Sequence, residues 1–133
     1  MRTTCHFILL WIPYILLIGC NANKSRVAHF EYQGYGDSTL SVMYGQIFEN
    51  VNGTQIPLSK VQINILNTNR ESESDKDGFF SVGFEPGNDQ VLFSKKNYQS
   101  LVLKNYQSIS DRVSKAKIIL MQGKGQEEVQ LPN

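Results

Sequence analysis

Apolar and polar residues alternate over short stretches along most of the chain after residue 39, which is the pattern of half-buried β-strands. The clearest strand runs from residue 61 to 66, where Val61, Ile63 and Ile65 alternate with polar residues. A longer strand is predicted from Leu40 to Glu49. One parity of that strand comprises Leu40, Val42, Tyr44, Gln46 and Phe48. Further short strands are predicted at residues 71–74, 79–82, 90–94, 98–103 and 117–121. No stretch has the period of an amphipathic helix, so the pattern predicts an all-β fold of about seven strands.

Turn signals separate these strands at regular intervals. Asn52-Gly53 is a strong hairpin signal because both residues accept a positive φ. Asp77-Gly78 predicts a second turn of the same kind, and residues 85–88, Glu-Pro-Gly-Asn, break the chain between two strands. Short strands with turns of this kind are typical of a β-sandwich, in which two sheets bury a core of Val, Ile, Leu and Phe between them.

A hydrophobic run from Phe7 to Ile18 follows Arg2 at the N-terminus. Its length suits a secretory signal peptide and falls short of the roughly 20 apolar residues that span a bilayer. The run ends in Leu17-Ile18-Gly19-Cys20, which resembles a bacterial lipobox, the signal for acylating a cysteine and cutting the chain before it. The resemblance implies that residues 1–19 are removed at the Gly19–Cys20 bond and that Cys20 carries a diacylglycerol. An ordinary signal peptide ending in cysteine is the alternative.

Lipidation at Cys20 implies a place in the cell envelope. The two acyl chains of a diacylglycerol anchor a protein stably, whereas a single chain binds only marginally. The membrane is therefore an expected partner through the N-terminal lipid. The predicted location is the outer membrane, with the domain either in the periplasm or exposed at the surface.

Charge and residue types limit the function of the mature chain. Arg2 is one of 13 basic residues, so its removal leaves 12 basic and 12 acidic residues, and this balance argues against binding nucleic acid. Cys5 leaves with the signal peptide, so neither a disulfide nor a catalytic thiol is expected. His6 leaves as well, and His29 lies outside the predicted strands, so no histidine-based catalysis is predicted. We therefore expect a protein without catalytic activity, cofactor or bound metal.

The pattern divides the chain into four parts. After the signal peptide, residues 20–39 are polar, contain two glycines and show no period, which predicts a flexible tether from Cys20 that lifts the domain off the bilayer. Residues 40–122 form the predicted sandwich. Residues 123–133 include Gly123 and Gly125 and are predicted to be a disordered tail.

Several short motifs follow one another over about residues 44–121. They are Gly45-Gln46-Ile47, Ile56-Pro57-Leu58, Val61-Gln62-Ile63, Ser74-Asp75-Lys76-Asp77-Gly78-Phe79-Phe80, Pro86-Gly87 and Phe93-Ser94-Lys95-Lys96-Asn97-Tyr98. In order and spacing they resemble the motifs of the carboxypeptidase regulatory-like domain. The resemblance implies a seven-stranded transthyretin-like (prealbumin-like) Greek-key β-sandwich. It also implies a binding or accessory module, since such domains are attached to enzymes, receptors and surface proteins and rarely hold a catalytic centre.

The residues assigned to turns and fold motifs are Asn52, Gly53, Asp75, Asp77, Gly78, Phe80, Asn97 and Tyr98. Asn97 stands where the family has glycine, and asparagine is the next residue best able to adopt the left-handed conformation. A calcium site at Asp75 and Asp77 is the less favoured alternative to a solvated hairpin tip, because no acidic residue follows Gly78 closely enough to complete an EF-hand loop.

A five-residue segment occurs twice, as Lys96-Asn97-Tyr98-Gln99-Ser100 and as Lys104-Asn105-Tyr106-Gln107-Ser108. One interpretation is a local duplication that lengthened a strand or loop. The other is that Tyr98 and Tyr106 stand together on one edge as exposed binding residues for a glycan or a partner chain.

The predicted function is a lipid-anchored, non-catalytic binding or accessory module of the cell envelope, which binds a glycan or a protein surface. The alternative is a structural accessory subunit of an outer-membrane transport or secretion complex. Such a subunit would dock through an exposed edge strand by strand addition.

Overall fold

The computed structural model describes residues 23–36 and 40–131, and within these ranges it contains ten strands and no helix. The strands are β1 Arg26–Tyr35, β2 Ser41–Val51, β3 Thr54–Pro57, β4 Gln62–Ile65, β5 Glu71–Glu73, β6 Phe79–Phe84, β7 Gly87–Ser94, β8 Ser100–Ser108, β9 Arg112–Leu120 and β10 Gln126–Gln130. The prediction of an all-β fold is confirmed. The strands that the sequence pattern did not predict are β1, β3 and β10.

The strands form two sheets that pack face to face as a sandwich. The first has the order β1-β9-β2-β3, and β6 also pairs with β2 beside β3; the second has the order β10-β8-β7-β4-β5. Both sheets are mixed, because β2 pairs with β9 in parallel and β10 pairs with β8 in parallel.

Alternating residues of both sheets fill the space between them. Val61, Ile63 and Ile65 are at most 2% exposed, which confirms the predicted inward parity of that strand. In β2 the residues facing the core are Met43 and Ile47, both fully buried. The side chains of the other parity, which begins at Leu40, therefore face outward along β2. Since β9 and β6 flank this strand in the sheet, these side chains lie on the outer face of the sheet, which is open to solvent.

The predicted tether differs from the structure, since β1 occupies residues 26–35. This strand pairs antiparallel with β9, from Arg26 opposite Ile119 to Tyr35 opposite Arg112. Ser25, just before it, is only 2% exposed. Phe30 and Tyr32 pack against the core while the neighbouring His29, Glu31 and Gln33 are exposed, as expected of a strand with one face on the core and one in solvent.

The predicted disordered tail also differs from the structure over most of its length. β10 adds to the edge of the second sheet, from Gln126 opposite Ser100 to Gln130 opposite Lys104. Lys104 Nζ lies 2.8 Å from Glu128 Oε2 across this pair. Leu131 is 3% exposed and belongs to the core, so apolar burial holds the end of the strand in place.

The two predicted hairpin turns have different geometries. Asn52 and Gly53 have φ values of 51° and 83°, which confirms the predicted turn between β2 and β3. At the second turn only Gly78 has a positive φ, 81°, so the prediction that this turn is of the same kind is wrong. Its shape depends instead on Asp75, whose Oδ1 accepts hydrogen bonds of 2.9 Å from the N–H groups of both Asp77 and Phe79.

The Asp75 carboxylate accepts hydrogen bonds from the backbone of its own turn, which argues for a structural role of this hairpin tip. Among the described residues, no group of three or more His, Cys, Asp or Glu side chains is placed to hold a metal ion. Phe80, just beyond the turn, is 5% exposed and stacks edge-on against Phe93 at 5.5 Å between ring centroids. The turn motif therefore positions the Phe80 side chain in the core.

Candidate binding surface

Tyr106, predicted as an exposed binding residue, lies in the centre of the sandwich. It is fully buried, and its ring packs against Phe84 at 4.3 Å between centroids. Its hydroxyl lies 3.0 Å from Ser41 Oγ and 2.9 Å from Ser114 Oγ, and both serines are fully buried. The prediction that Tyr106 binds a ligand is therefore wrong, and its role is in the core.

The three buried hydroxyls form a chain whose direction is determined. Ser41 donates its single hydroxyl hydrogen to the Arg112 carbonyl at 3.1 Å. Tyr106 must therefore donate to Ser41, and Ser114 must donate to Tyr106. Burial raises the pKa of the Tyr106 hydroxyl, and the hydrogen bond donated by Ser114 offsets only part of that rise.

Tyr98, in the first copy of the repeat, is partly buried and packs against the core. Its hydroxyl donates a hydrogen bond of 2.6 Å to Glu49 Oε2. Desolvation, and then this carboxylate, raise the pKa of Tyr98. The two tyrosines thus do not form a shared exposed edge.

Both copies of the repeat fix β1 to the sandwich. The asparagines adopt positive φ, 72° at Asn97 and 63° at Asn105. Asn97 therefore takes the left-handed conformation that the sequence predicts. Gln99 Oε1 then accepts the Ser25 N–H at 3.1 Å, and the Gln107 N–H donates to the Tyr32 hydroxyl at 3.3 Å.

An exposed surface rich in aromatic residues lies on the outer side of the first sheet. We call it the aromatic face; it comprises Tyr44, Gln46, Phe48, Phe79, Lys115 and Lys117. These residues surround a shallow hollow of about 340 Å³, floored by Gly45 and Ala116. The sequence pattern did not predict this face as a site, although its β2 residues belong to the parity that begins at Leu40.

Sheet register brings the aromatic face together from three strands. Gln46 of β2 lies opposite Phe79 of β6 on one side and opposite Lys117 of β9 on the other. Phe79 is 53% exposed, and Lys117 Nζ stands 5.1 Å from the centroid of the Phe48 ring, within the range of a cation–π contact. The Tyr44 hydroxyl donates to Gln33 of β1, which orients the ring at the margin of the hollow. The face can accept an apolar group while presenting two ammonium groups beside it.

A larger and more polar hollow, of about 450 Å³, lies at the end of the sandwich that contains residues 68–70 and 85–89. Its charged groups already have protein partners. Arg70 pairs with Glu85 at 3.1 Å, and Asp89 Oδ2 accepts the Ser108 hydroxyl at 2.6 Å. These contacts stabilise the turn that connects β6 and β7, so we assign this hollow a structural role.

The predicted processing site, Gly19 and Cys20, lies outside the described residues. Within residues 23–36 and 40–131, no helix is long and apolar enough to cross a membrane. His29 is an exposed residue of β1, with Nε2 3.3 Å from Glu31 Oε2.

The two sheets packed face to face define the class of this protein as a β-sandwich. Comparison with known proteins agrees with that class. Neither the protein-family models nor the curated proteins include a match to this sequence. Among solved structures, similar chains occur in two mutants of the type II cohesin–X-dockerin complex of Acetivibrio cellulolyticus. One is an N-terminal interface mutant, with a TM-score of 0.52 and 19% identity, and the other is a C-terminal interface mutant, with a TM-score of 0.52 and 20% identity.

Each comparison covers 62% of this chain and 58% of the other chain, less than two thirds of its length. At this level of identity the similarity shows a shared β-sandwich fold.

Proposed function

We propose that this chain is a lipid-anchored, non-catalytic binding module of the cell envelope. Its anchor is the lipid on Cys20, at the outer membrane, and its aromatic face docks a protein surface that carries acidic side chains. The aromatic face is the observation that carries this proposal. Aromatic residues are enriched at the centres of protein interfaces, where they provide large buried areas at low entropic cost.

The two lysines favour a protein partner with acidic groups over a neutral glycan. Lys115 and Lys117 both border the hollow and project from the same face of β9. Complementary charges of this kind direct encounter and register more than they raise affinity. The similar solved structures come from complexes between two proteins, which agrees with a docking role.

For the fold, we propose the transthyretin-like arrangement that the motifs imply. The strands predicted from the sequence are β2 and β4 to β9. They lie next to one another in the two sheets, with orders β6-β2-β9 and β5-β4-β7-β8. The remaining strands, β1, β3 and β10, are additions to these sheets. The ten-residue β1 leaves one side unpaired in the described sheet, which supports edge-strand docking to a larger envelope complex as the second candidate function.

Photocrosslinking tests the aromatic face directly. We expect a photoreactive benzoylphenylalanine at Phe79 to form one discrete adduct in intact host cells, because the exposed ring should lie against the partner. The matched control is the same probe at Ile109, which is 44% exposed in the turn between β8 and β9 and lies away from the face. The adduct is identified by mass spectrometry after purification.

Charge reversal at Lys115→Glu and Lys117→Glu should abolish the Phe79 adduct without changing the amount of protein in the cell. Equal adducts from positions 79 and 109 would contradict a specific surface. An adduct that protease leaves intact but glycosidase degrades would show that the partner is a glycan and not a protein. An adduct from a probe in β1 alone would favour docking by strand addition.

A further inference from the structure

The chain is fixed to the sandwich only a few residues after the proposed lipid attachment site. The Ser25 hydroxyl donates to the Gln99 carbonyl at 2.8 Å and accepts the Met121 N–H at 3.0 Å. The Ser25 N–H also donates to the Gln99 side chain at 3.1 Å. Since Ser25 is 2% exposed, these bonds are shielded from water, and residue 25 is a fixed point of the fold.

Covalent geometry then limits how far the domain can stand from the bilayer. Cys20 and Ser25 are five Cα-to-Cα steps apart, and each step spans at most about 3.6 Å, so their Cα atoms are at most about 18 Å apart. The 11 residues of β2 extend over about 36 Å, which is about twice this reach. The end of the sandwich that contains Ser25 must therefore stay within this reach of the membrane, whereas the other end can lie farther away. This conclusion rests on the proposed lipidation of Cys20.

The end of the sandwich near Ser25 is built from three segments besides Ser25 itself. We call it the anchored end; it comprises Ser25 and residues 49–53, 95–99 and 121–125. The Gln99 N–H donates to the Met121 carbonyl at 2.8 Å, and the Gly123 N–H donates to the Asn97 carbonyl at 3.0 Å. The hydrogen bond from Tyr98 to Glu49 joins the last part of β2 to the same end.

The anchored end presents two exposed ammonium groups to solvent. At the anchored end, Lys96 and Lys124 are exposed next to the hydrogen-bonded Asn97 and Gly123. Lys95 donates to the Ser59 carbonyl at 2.6 Å, while Lys24 shares a small cleft with Glu127 just beside this end.

At the opposite end, Asp111 lies in the turn between β8 and β9 and is followed by Arg112. The polar hollow there contains Asp89 and the paired Arg70 and Glu85, so this end presents charges of both signs. Val51, 39% exposed, adds an apolar side chain to the anchored end.

We infer that the anchored end rests on the bilayer, with Lys96 and Lys124 at the level of anionic phospholipid headgroups and the opposite end pointing away. The lipid on Cys20 brings this end to the surface, and the two ammonium groups match the charge of anionic headgroups. The aromatic face then stands on the side of the domain, where it is open to a partner in the same plane of the membrane.

Energy transfer to the membrane surface tests this orientation. The acylated protein is purified with a single donor label at Gln122→Cys, in the anchored end, or at Ser110→Cys, in the opposite turn. It is reconstituted into vesicles of phosphatidylcholine and phosphatidylglycerol that carry a headgroup acceptor. Because Cys5 is removed and Cys20 is acylated, the introduced thiol is the only reactive one. We expect transfer from position 122 to exceed that from position 110 severalfold.

Removing the lysines tests the headgroup contact. Lys96→Gln with Lys124→Gln should lower transfer from position 122, since each lysine near an anionic surface changes the resting population about fivefold. Lys115→Gln with Lys117→Gln removes the same charge from the side of the domain and should leave transfer unchanged. Vesicles without phosphatidylglycerol should reproduce the effect of the first pair.

Equal transfer from positions 110 and 122 would overturn the orientation, and so would equal effects of the two lysine pairs. Labelled palmitate is followed in the same preparations. A protein that incorporates palmitate but shows no orientation contradicts only this inference, whereas a protein without palmitate contradicts the proposed lipidation as well.

Discussion

Replacing Tyr106 by alanine is expected to lower the free energy of unfolding by about 4 kcal/mol, because the change empties a large volume in the middle of the core. The ring is fully buried and packs against Phe84 and Phe30, at 4.3 and 6.2 Å between centroids. Tyr106→Phe keeps the ring and removes the hydroxyl. We expect a smaller loss of stability, about 2 kcal/mol, because the buried Ser114 hydroxyl loses its hydrogen-bond acceptor. Urea unfolding of both variants measures these losses.

The matched control for Tyr106 is Tyr35→Ala, because Tyr35 is 73% exposed. We expect that change to alter stability by less than about 0.5 kcal/mol, as for most exposed positions. A loss at Tyr106→Ala no larger than at Tyr35→Ala would contradict the buried position of the ring.

The buried hydroxyl also gives stability a dependence on alkaline pH. Burial raises the pKa of Tyr106 in the folded state above its value of about 10 in the unfolded chain. The unfolded state therefore loses its proton first, and stability falls as the pH rises above about 10. In Tyr106→Phe this fall should be shallower, with the remaining slope due partly to Tyr98, whose pKa is also raised.

Replacing Gly45 by alanine is expected to cost about 3 kcal/mol, because β2 and β9 approach too closely at this position for a side chain. A Cβ on residue 45 would lie 1.8 Å from the Ala116 carbonyl oxygen and 2.8 Å from the carbonyl carbon. Since both atoms belong to the backbone, the two strands would have to separate in the middle of their parallel pairing. Thermal and urea unfolding measure the loss.

Gly83→Ala is the control for this substitution. A Cβ there would approach the Leu40 side chain at 3.2 Å, and a side-chain methyl group can move aside where a backbone carbonyl cannot. We expect Gly83→Ala to cost less than 1 kcal/mol on the scale of ordinary substitutions, or about a third of the Gly45→Ala effect. Similar losses at the two positions would contradict the close approach of β2 and β9.

The period-two pattern and the turn residues were enough to predict the class of the fold. Val61, Ile63 and Ile65 face the core as expected, and Asn52-Gly53 turns the chain as predicted. These features could be predicted because side-chain alternation and positive φ are local properties of the sequence. The partner of each strand in the sheet is not local.

Strand β1 shows why the N-terminal part was misinterpreted. Phe30 and Tyr32 alternate with His29 and Glu31, so a period of two was present in the sequence. An edge strand with a polar outer face has little apolar character, and its partner, β9, lies some 80 residues further along the chain. Pairing with β9 orders this segment, and no pattern in the neighbouring sequence indicates that pairing.

Tyr106 was misplaced because β8 changes parity within the strand. Leu101 and Leu103 face the core, but the next fully buried residue is Tyr106. The irregularity in the pairing with β7 falls between these positions, and Asn105 has a φ of 63°. An extra residue of this kind turns all later side chains to the opposite face. An asparagine before a tyrosine is too weak a signal to locate such a bulge in advance.

The aromatic face could be predicted only in part. Tyr44 and Phe48 share a parity of β2, which the sequence shows directly. Phe79 and Lys117 join them through the order β6-β2-β9, which depends on pairings across long stretches of sequence. Such a site becomes visible only when the sheet is assembled.

The most direct test of a lipid-anchored module is the distribution of the protein between membrane and soluble fractions in the Cys20→Ala variant. Cys5→Ala is the matched control, because it removes the other cysteine of the chain and lies within the proposed signal peptide. We predict that the native protein and Cys5→Ala incorporate labelled palmitate and sediment with membranes. Cys20→Ala should incorporate none and lose its membrane association. Palmitate incorporation and membrane association that persist in Cys20→Ala would contradict the anchor and, with it, the proposed orientation of the domain on the bilayer.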